Sequence, residues 1–351
     1  MSERRKTSAR RQHARVTISD VAREAGVSPM TVSRVINAEV AVRDATREKV
    51  EKAIAELGYS PNKAARSLAS ARQMQIGLLY ANPSSTYLSA MLLGVLERAR
   101  QSDAQVVVVE SGFGKDAVAA VRGMLMSGVD GVLLTPPLTG YRPVLEILHD
   151  SGVQTVTLGA QHVESEISTV SIDDHRAAME MTRHLLDLGH ERIGFIVGNN
   201  NQLASRLRLA GFREAMRLAG VDVDESLVVR GDFSYRSGLK AADLLLRLEQ
   251  RPTAIFASND DMAAAVVATA HRFHIEVPEA LTVVGYDDTL LATTIWPELT
   301  TIRQPIADMS RAAIELLETN IRIDRAGEPV KARHLTRAYK LVRRESSAPP
   351  R

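Results

Sequence analysis

The sequence predicts an α/β protein, with an all-α helix-turn-helix unit at the N-terminus followed by two lobes of doubly wound parallel sheet. Three observations predict it. Residues 16–60 carry apolar positions at helical spacing, punctuated by cap and stop residues. From Gln75 onward, short apolar runs alternate with longer amphipathic ones. That alternation restarts after Ile172, which doubles the core. At 351 residues, 45% hydrophobic and 25% charged, the chain is long enough for two or three domains and is neither disordered nor fibrous in composition.

Charge is placed unevenly. The first 73 residues carry 15 Lys and Arg against 8 Asp and Glu, whereas the remainder carries 29 against 34. Residues 1–15, with Arg4, Arg5, Lys6, Arg10, Arg11 and Arg15, are too polar to fold and read as a basic disordered tail. The excess continues into the periodic segment at Arg23, Arg34, Arg47, Lys49, Lys63 and Arg66, so a folded surface facing phosphates is expected. The absence of cysteine removes disulfides, zinc knuckles and thiol nucleophiles, and fits a reducing cytoplasm. No run approaches the roughly 18 apolar residues of a membrane span, and the basic N-terminus lacks the apolar stretch of an export signal.

Thr17 with Asp20 three places on can form a capping box, and Ile18, Val21, Ala22 and Ala25 recur at helical spacing before Gly26 stops the helix. Ser28-Pro29 opens a second helix with Val32, Val35 and Ile36 inward, closed by Asn37. A third begins near Asp44, carries Val50, Ala53, Ile54 and Leu57 inward and ends at Gly58. Two short helices around Gly26-Val27 make a helix-turn-helix, whose second helix offers Met30, Thr31, Ser33 and Arg34 to base edges in the major groove. Arginine can pair bidentately with guanine, hydroxyls can take bases or phosphates, and Met30 can touch a thymine methyl.

Residues 16–69, VTISDVAREAGVSPMTVSRVINAEV through NKAARSLA, resemble the DNA-binding headpiece of the lactose repressor/purine repressor (LacI/GalR) family. The resemblance implies that Pro29, Met30 and Arg34 read the major groove, while Thr17, Ser28, Thr31, Ser33 and Asn37 hold phosphates. Pro29-Met30 stands where the lactose repressor has Tyr-Gln, so the operator sequence does not carry over. The Ala-rich segment Asn62–Ala69 is marginal as an isolated helix and needs a partner. In the family, such hinge helices pair on DNA, which implies contacts from Asn62 and Arg66 and a minor-groove wedge at Leu68.

In the doubly wound core, ligands bind beyond the carboxyl ends of strands, and two facing lobes form a cleft there. The strand ends carry Tyr80-Ala81-Asn82, Gly198-Asn199, Ser258-Asn259-Asp260 and Tyr286-Asp287-Asp288, polar and mostly uncharged. This half resembles the family's effector domain, of the periplasmic-binding-protein type. The resemblance implies an effector-clamping Arg208 in SRLRLAGF, a strand-end Asn259 in FASNDDMA and a hydroxyl-binding Asp287 in VVGYDDT. It also implies a stacking aromatic at Phe233 and a cleft-lining amide at Gln304, beside Asn82. Where relatives often carry a second acid after a V-x-L strand, this chain reads Val156-Thr157-Leu158-Gly159. Arginine with acid and amide suits vicinal hydroxyls and an aromatic face suits a pyranose, so a neutral sugar is expected; a phosphorylated one would want more cations than Arg208 and nearby Arg206.

Other signals carry nothing. Gly112-Phe113-Gly114-Lys115 lacks the first glycine of a phosphate loop. His184 and His190 sit on opposite sides of a helix, and His271 with His274 lacks a third ligand, so no metal is expected. Asp287 and Asp288 are adjacent rather than spaced across a substrate, no nucleophile elbow appears, and neither enzyme nor cofactor is expected.

The expected organisation is a tail at 1–15, a headpiece at 16–61, hinge and linker at 62–73, an effector-binding and dimerisation domain at 74–345 and a disordered tail at 346–351. Lobe one would span about 74–172 and 303–332, lobe two about 173–302 and 333–345. The expected function is a cytoplasmic, nucleoid-associated regulator, a repressor of carbohydrate-utilisation genes that leaves operator DNA when a small sugar binds. The lactose repressor's tetramer-forming leucine repeat is missing after Arg344, so a homodimer is expected. The alternatives are a corepressor-type regulator tightened by a purine or phosphorylated metabolite and, remotely, a sugar-binding transport receptor.

Overall fold

The computed structural model describes residues 17–36, 44–57, 73–102, 104–159 and 166–351. They fall into two compact units divided between Gln73 and Met74. The first holds α1 (Ile18–Ala25), α2 (Pro29–Ile36) and α3 (Asp44–Leu57). Thr17 and Asp20 cap α1 reciprocally: the Thr17 hydroxyl accepts from the Asp20 amide, and Asp20 Oδ2 accepts from the Thr17 amide at 2.9 Å. Gly26 ends the helix at φ 67°, a left-handed conformation that glycine adopts without a Cβ penalty. Val21, Ala22, Val32, Val35, Val50 and Ala53 close one small core from all three helices. Asn37, Asn62, Arg66 and Leu68, and with them the expected hinge helix, lie outside the described residues.

The second unit contains two sheets. In lobe one, β1 (Gln75–Tyr80), β2 (Gln105–Glu110), β3 (Gly131–Leu134), β4 (Gln154–Leu158) and β5 (Ser168–Ser171) are joined by β11 (His334–Thr336). The order is β11-β5-β4-β3-β1-β2, every pair parallel. Helices α4 (Ser85–Ser102), α5 (Lys115–Met126), α6 (Arg142–Ser151) and α11 (Ile306–Arg325) accompany it. Helices α4 and α11 pack closely because Gly94 has no side chain; a Cβ there would lie 2.0 Å from the Ala307 carbonyl oxygen.

Lobe two repeats the plan with β6 (Ile193–Val197), β7 (Val228–Arg230), β8 (Ala254–Ala257), β9 (Thr282–Asp287), β10 (Thr300–Arg303) and β12 (Lys340–Val342), in the order β12-β10-β9-β8-β6-β7. Its helices are α7 (Asp174–Asp187), α8 (Leu203–Leu218), α9 (Tyr235–Leu246) and α10 (Asp260–Arg272). Strands β3, β6, β8 and β9 are buried along their whole length, as strands covered on both faces must be. The ring of Phe195 meets those of Phe212 at 4.8 Å and Phe256 at 5.0 Å, tying β6 to α8 and β8.

Three details differ from the sequence expectation. Strand β12 runs antiparallel to β10, pairing Ile302 with Leu341, so the second sheet is not wholly parallel. The last crossing between lobes follows Thr336 rather than residue 332, because His334 pairs with Thr169 of lobe one. Residues 346–351 were expected to be a free tail, but Ser346 is fully buried: its hydroxyl donates to the Val283 carbonyl at 2.6 Å and accepts from the Thr300 amide at 2.9 Å. His190 Nε2 lies 2.9 Å from the Ala348 carbonyl and His184 Nε2 3.2 Å from the Ser347 hydroxyl, so the two histidines dock this segment.

Candidate functional site

Helix α2 presents Pro29, Met30 and Arg34 outward, with Met30 65% exposed. Ser28 opens the helix, its hydroxyl accepting from the Thr31 amide at 3.2 Å and lying 2.9 Å from the Thr31 hydroxyl. These two hydroxyls and Arg34 on one short helix make a surface that suits phosphates and base edges. Ser33 lies on the same helix.

In the second unit, Asn82, Arg208, Phe233, Asn259, Asp287 and Gln304 converge on one cleft at the carboxyl ends of the strands. The space they line is about 520 Å³, its solvent mouth included. Arg208, on the second turn of α8, is 5% exposed and clamped: Nε donates to Asp174 Oδ1 at 2.7 Å and Nη1 to the Ser258 carbonyl at 2.6 Å. Its guanidinium carbon sits 3.6 Å over the Tyr286 ring, and Nη1 lies 3.9 Å from Asp287 Oδ1. The Tyr286 hydroxyl donates to the same Asp174 oxygen at 3.0 Å.

Gln304 Nε2 donates to Asp287 Oδ1 at 2.6 Å. Asn259 caps α10 through Oδ1, accepting from the Met262 amide at 3.0 Å, while its Nδ2 donates to the Phe233 carbonyl at 2.9 Å. That bond fixes Phe233 at φ 73°, costly for a residue with a bulky side chain and typical of strain held at a binding site. Gly198 makes room for the ring, since a Cβ there would sit 2.0 Å from Phe233 Cζ. Asn82 turns its own loop, Oδ1 accepting from the Ser84 amide at 2.9 Å.

Burial decides the protonation chemistry. It raises the Asp287 carboxyl to about 7, against the opposing pull of Arg208 and Gln304. It also works against the charge on Arg208, but Asp174, Tyr286 and Asp287 outweigh it and the guanidinium stays charged. Behind the cleft, burial pushes Asp260 well above the usual carboxylate range even though Thr289 and Thr301 donate to it. One arginine facing several carboxylates makes the site hospitable to neutral hydroxyl donors and hostile to anions.

Sequence reasoning missed several lining residues. Asp174 begins α7 just beyond β5, a strand end that resembled a helix cap. Gln202, 6% exposed at the start of α8, lines the cleft, and its buried Nε2 has no hydrogen-bond partner among the described residues. Ser84, Tyr87 and Thr139 come from lobe-one loops and helix α4, where no local pattern marks them. Gly159, where the resemblance leads one to expect an acid, lines the cleft without supplying a carboxylate.

Comparison with known proteins settles the family. Residues 17–62 match the model for bacterial regulatory proteins of the lacI family, and residues 182–347 match the periplasmic binding protein-like domain. The HTH-type transcriptional regulator CelR of Thermobifida fusca is 37% identical over 349 residues, 95% of this chain and 98% of its own length. The chain belongs to the lacI family. This lacI-family regulator is also 34% identical to catabolite control protein A of Priestia megaterium, over 86% and 91% of the two chains. It is 35% identical to the ribose operon repressor of Escherichia coli, over 86% and 92%. A solved structure of the lac repressor dimer bound to operator and an anti-inducer superposes at a TM-score of 0.80, with 30% identity over 95% of this chain and all of that one. A CelR–cellobiose complex does so at 0.72, with 34% identity over the same shares. These relatives are transcription regulators rather than enzymes, and this lacI-family chain is a DNA-binding transcriptional regulator.

Proposed function

We propose that this regulator is a homodimeric repressor of carbohydrate-utilisation genes, released from a roughly twofold operator when a neutral sugar enters the cleft. The observation that carries the reading is buried Arg208, held by Asp174 beside an Asp287 that Gln304 braces, with Phe233 against the same space. Paired donors and acceptors of that kind recognise vicinal hydroxyls, and the acids repel a phosphate. Relatives named for ribose and solved with cellobiose support a sugar. Pro29, Met30 and Arg34 would read bases, Thr17, Ser28, Thr31, Ser33 and Asn37 would hold phosphates, and Asn62, Arg66 and Leu68 would act at the minor groove.

The effector would meet Asn82, Arg208, Phe233, Asn259, Asp287 and Gln304, with Asp174 and Gln202 added. A second copy would cover exposed Leu93, Leu96, Leu290 and Trp296. No helix among the described residues is long and apolar enough to cross a membrane, and the protein would work in the cytoplasm, at the nucleoid, without a cofactor and without enzymatic activity.

Thermal shifts of the full-length protein against cellobiose, ribose, other mono- and disaccharides, sugar phosphates and purines test the reading. A ligand at 100 times its Kd adds about 2.7 kcal/mol of stability. A neutral sugar that shifts the protein but not Asp287→Asn supports the proposal. A response confined to a purine or phosphate replaces it with a corepressor.

A further inference from the structure

Away from the three chain crossings, two hydroxyls of lobe one meet a carboxylate of lobe two. Ser84 belongs to lobe one, in the loop between β1 and α4, and Asp261 to lobe two, in the first turn of α10. The Ser84 hydroxyl donates to Asp261 Oδ2 at 2.7 Å, and the Thr86 hydroxyl donates to the same oxygen at 3.3 Å. Ser84 is fixed within lobe one, and Asp261 Oδ2 also lies 3.5 Å from Asn259 Nδ2 of its own lobe. Ser84 is 1% exposed; its amide donates to Asn82, its carbonyl accepts from the Tyr80 hydroxyl at 3.1 Å, and its own hydroxyl accepts from the Tyr87 amide at 3.2 Å. Asp261 sits in the first turn of the helix that Asn259 caps; burial raises its carboxyl, and the Ser84 and Thr86 hydroxyls oppose that rise.

We propose that Ser84, Thr86 and Asp261 form an inter-lobe latch that sets the balance between closed and open lobes before any effector arrives. Ser84 cannot turn away without breaking bonds inside its lobe, so separating the lobes strips Asp261 of two donors at once. A hydrogen bond to an ionised acceptor is strong enough to shift such a balance on the order of tenfold or more. The latch therefore tunes effector response while Asp261 itself stays outside the cleft lining. If the sugar reading holds, cleft affinity includes the cost or gain of this prior equilibrium.

The chain has no cysteine, so a single engineered pair reports the lobe separation without background. Arg142→Cys on α6 and Arg236→Cys on α9 place labels on exposed positions, one on each lobe. Spin labels at both sites in the full-length, effector-free protein give a distance distribution. Asp261→Ala should move population to longer separations, lowering the closed-to-open ratio about tenfold. Ser84→Ala/Thr86→Val, made on the opposite lobe, should do the same, and Asp261→Asn, which keeps an acceptor, should move it less than Asp261→Ala. Unchanged distributions in the first two variants would overturn the latch. So would a shift in Asp261→Ala alone, which would locate the effect inside α10. Because no effector is added, the result stands apart from the fate of the sugar reading.

Discussion

Arg208 Nε lies 2.7 Å from Asp174 Oδ1 with both side chains buried, so the residue best suited to hold an effector is also an internal ion pair of lobe two. Removing one partner leaves the other charge unpaired in a dry site. Arg208→Ala should therefore destabilise the core unit by about 3–5 kcal/mol, and Arg208→Ala/Asp174→Asn should recover part of that loss. Urea titrations of the three proteins check it; equal midpoints for the single and double variants would show that Asp174 is not the group left stranded.

Asp287 titrates near neutrality because burial opposes its charge. Between its ordinary value near 4 and about 7, the folded chain keeps a proton that the unfolded chain has lost. This carboxyl's contribution to stability is therefore complete below about pH 4 and declines as pH rises to about 7. Asp287→Asn should flatten that slope in thermal scans. Sugar hydroxyls donating to Asp287 favour the ionised form, so effector affinity should rise from pH 6 to 8 with a proton released on binding. Calorimetry in buffers of different ionisation enthalpy measures that proton directly.

Gln202 carries a buried donor with no acceptor among the described residues. Gln202→Leu should raise stability by about 1 kcal/mol while weakening effector binding, two effects of opposite sign. Loss of both stability and binding would mean that the amide serves the fold instead.

The C-terminal segment is structural. Truncation after Glu345 removes the buried Ser346 hydroxyl and the bonds from His190 and Thr282 to Ala348, and should cost about 2–3 kcal/mol. A truncated protein with an unchanged melting temperature would show that these bonds are replaced by water at no cost.

At the DNA end, Arg34→Ala should cost about 1–3 kcal/mol on a selected operator and little on random duplex. Equal losses on both would make Arg34 a phosphate contact.

Much of this was legible because the sequence signals are local. Capping at Thr17, the stop at Gly26 and the Ser28-Pro29 start depend on a few neighbouring residues, and a repeated strand–helix alternation fixes where strand ends meet. Residues as far apart as Asn82 and Gln304 share a cleft for that reason. Asp174 and Gln202 were hidden because an acid at a helix start and an amide in a polar loop look like caps and surface. The role of Asn259 was only half visible: it lines the cleft, but its hydrogen bonds hold α10 and Phe233. The direction of β12 and the burial of Ser346 follow from pairings with Ile302, Thr300 and Val283, which no local pattern encodes.

On the proposed function, cleft and operator are coupled through one chain. The direct test is anisotropy of a labelled duplex, selected by this protein from random DNA, titrated with full-length dimer with and without the neutral sugar that shifts its melting. DNA binding should weaken with sugar, and by thermodynamic reciprocity sugar binding should weaken equally with DNA, both effects being lost in Asp287→Asn. An operator affinity that stays the same, or tightens, while the sugar saturates the cleft would contradict it.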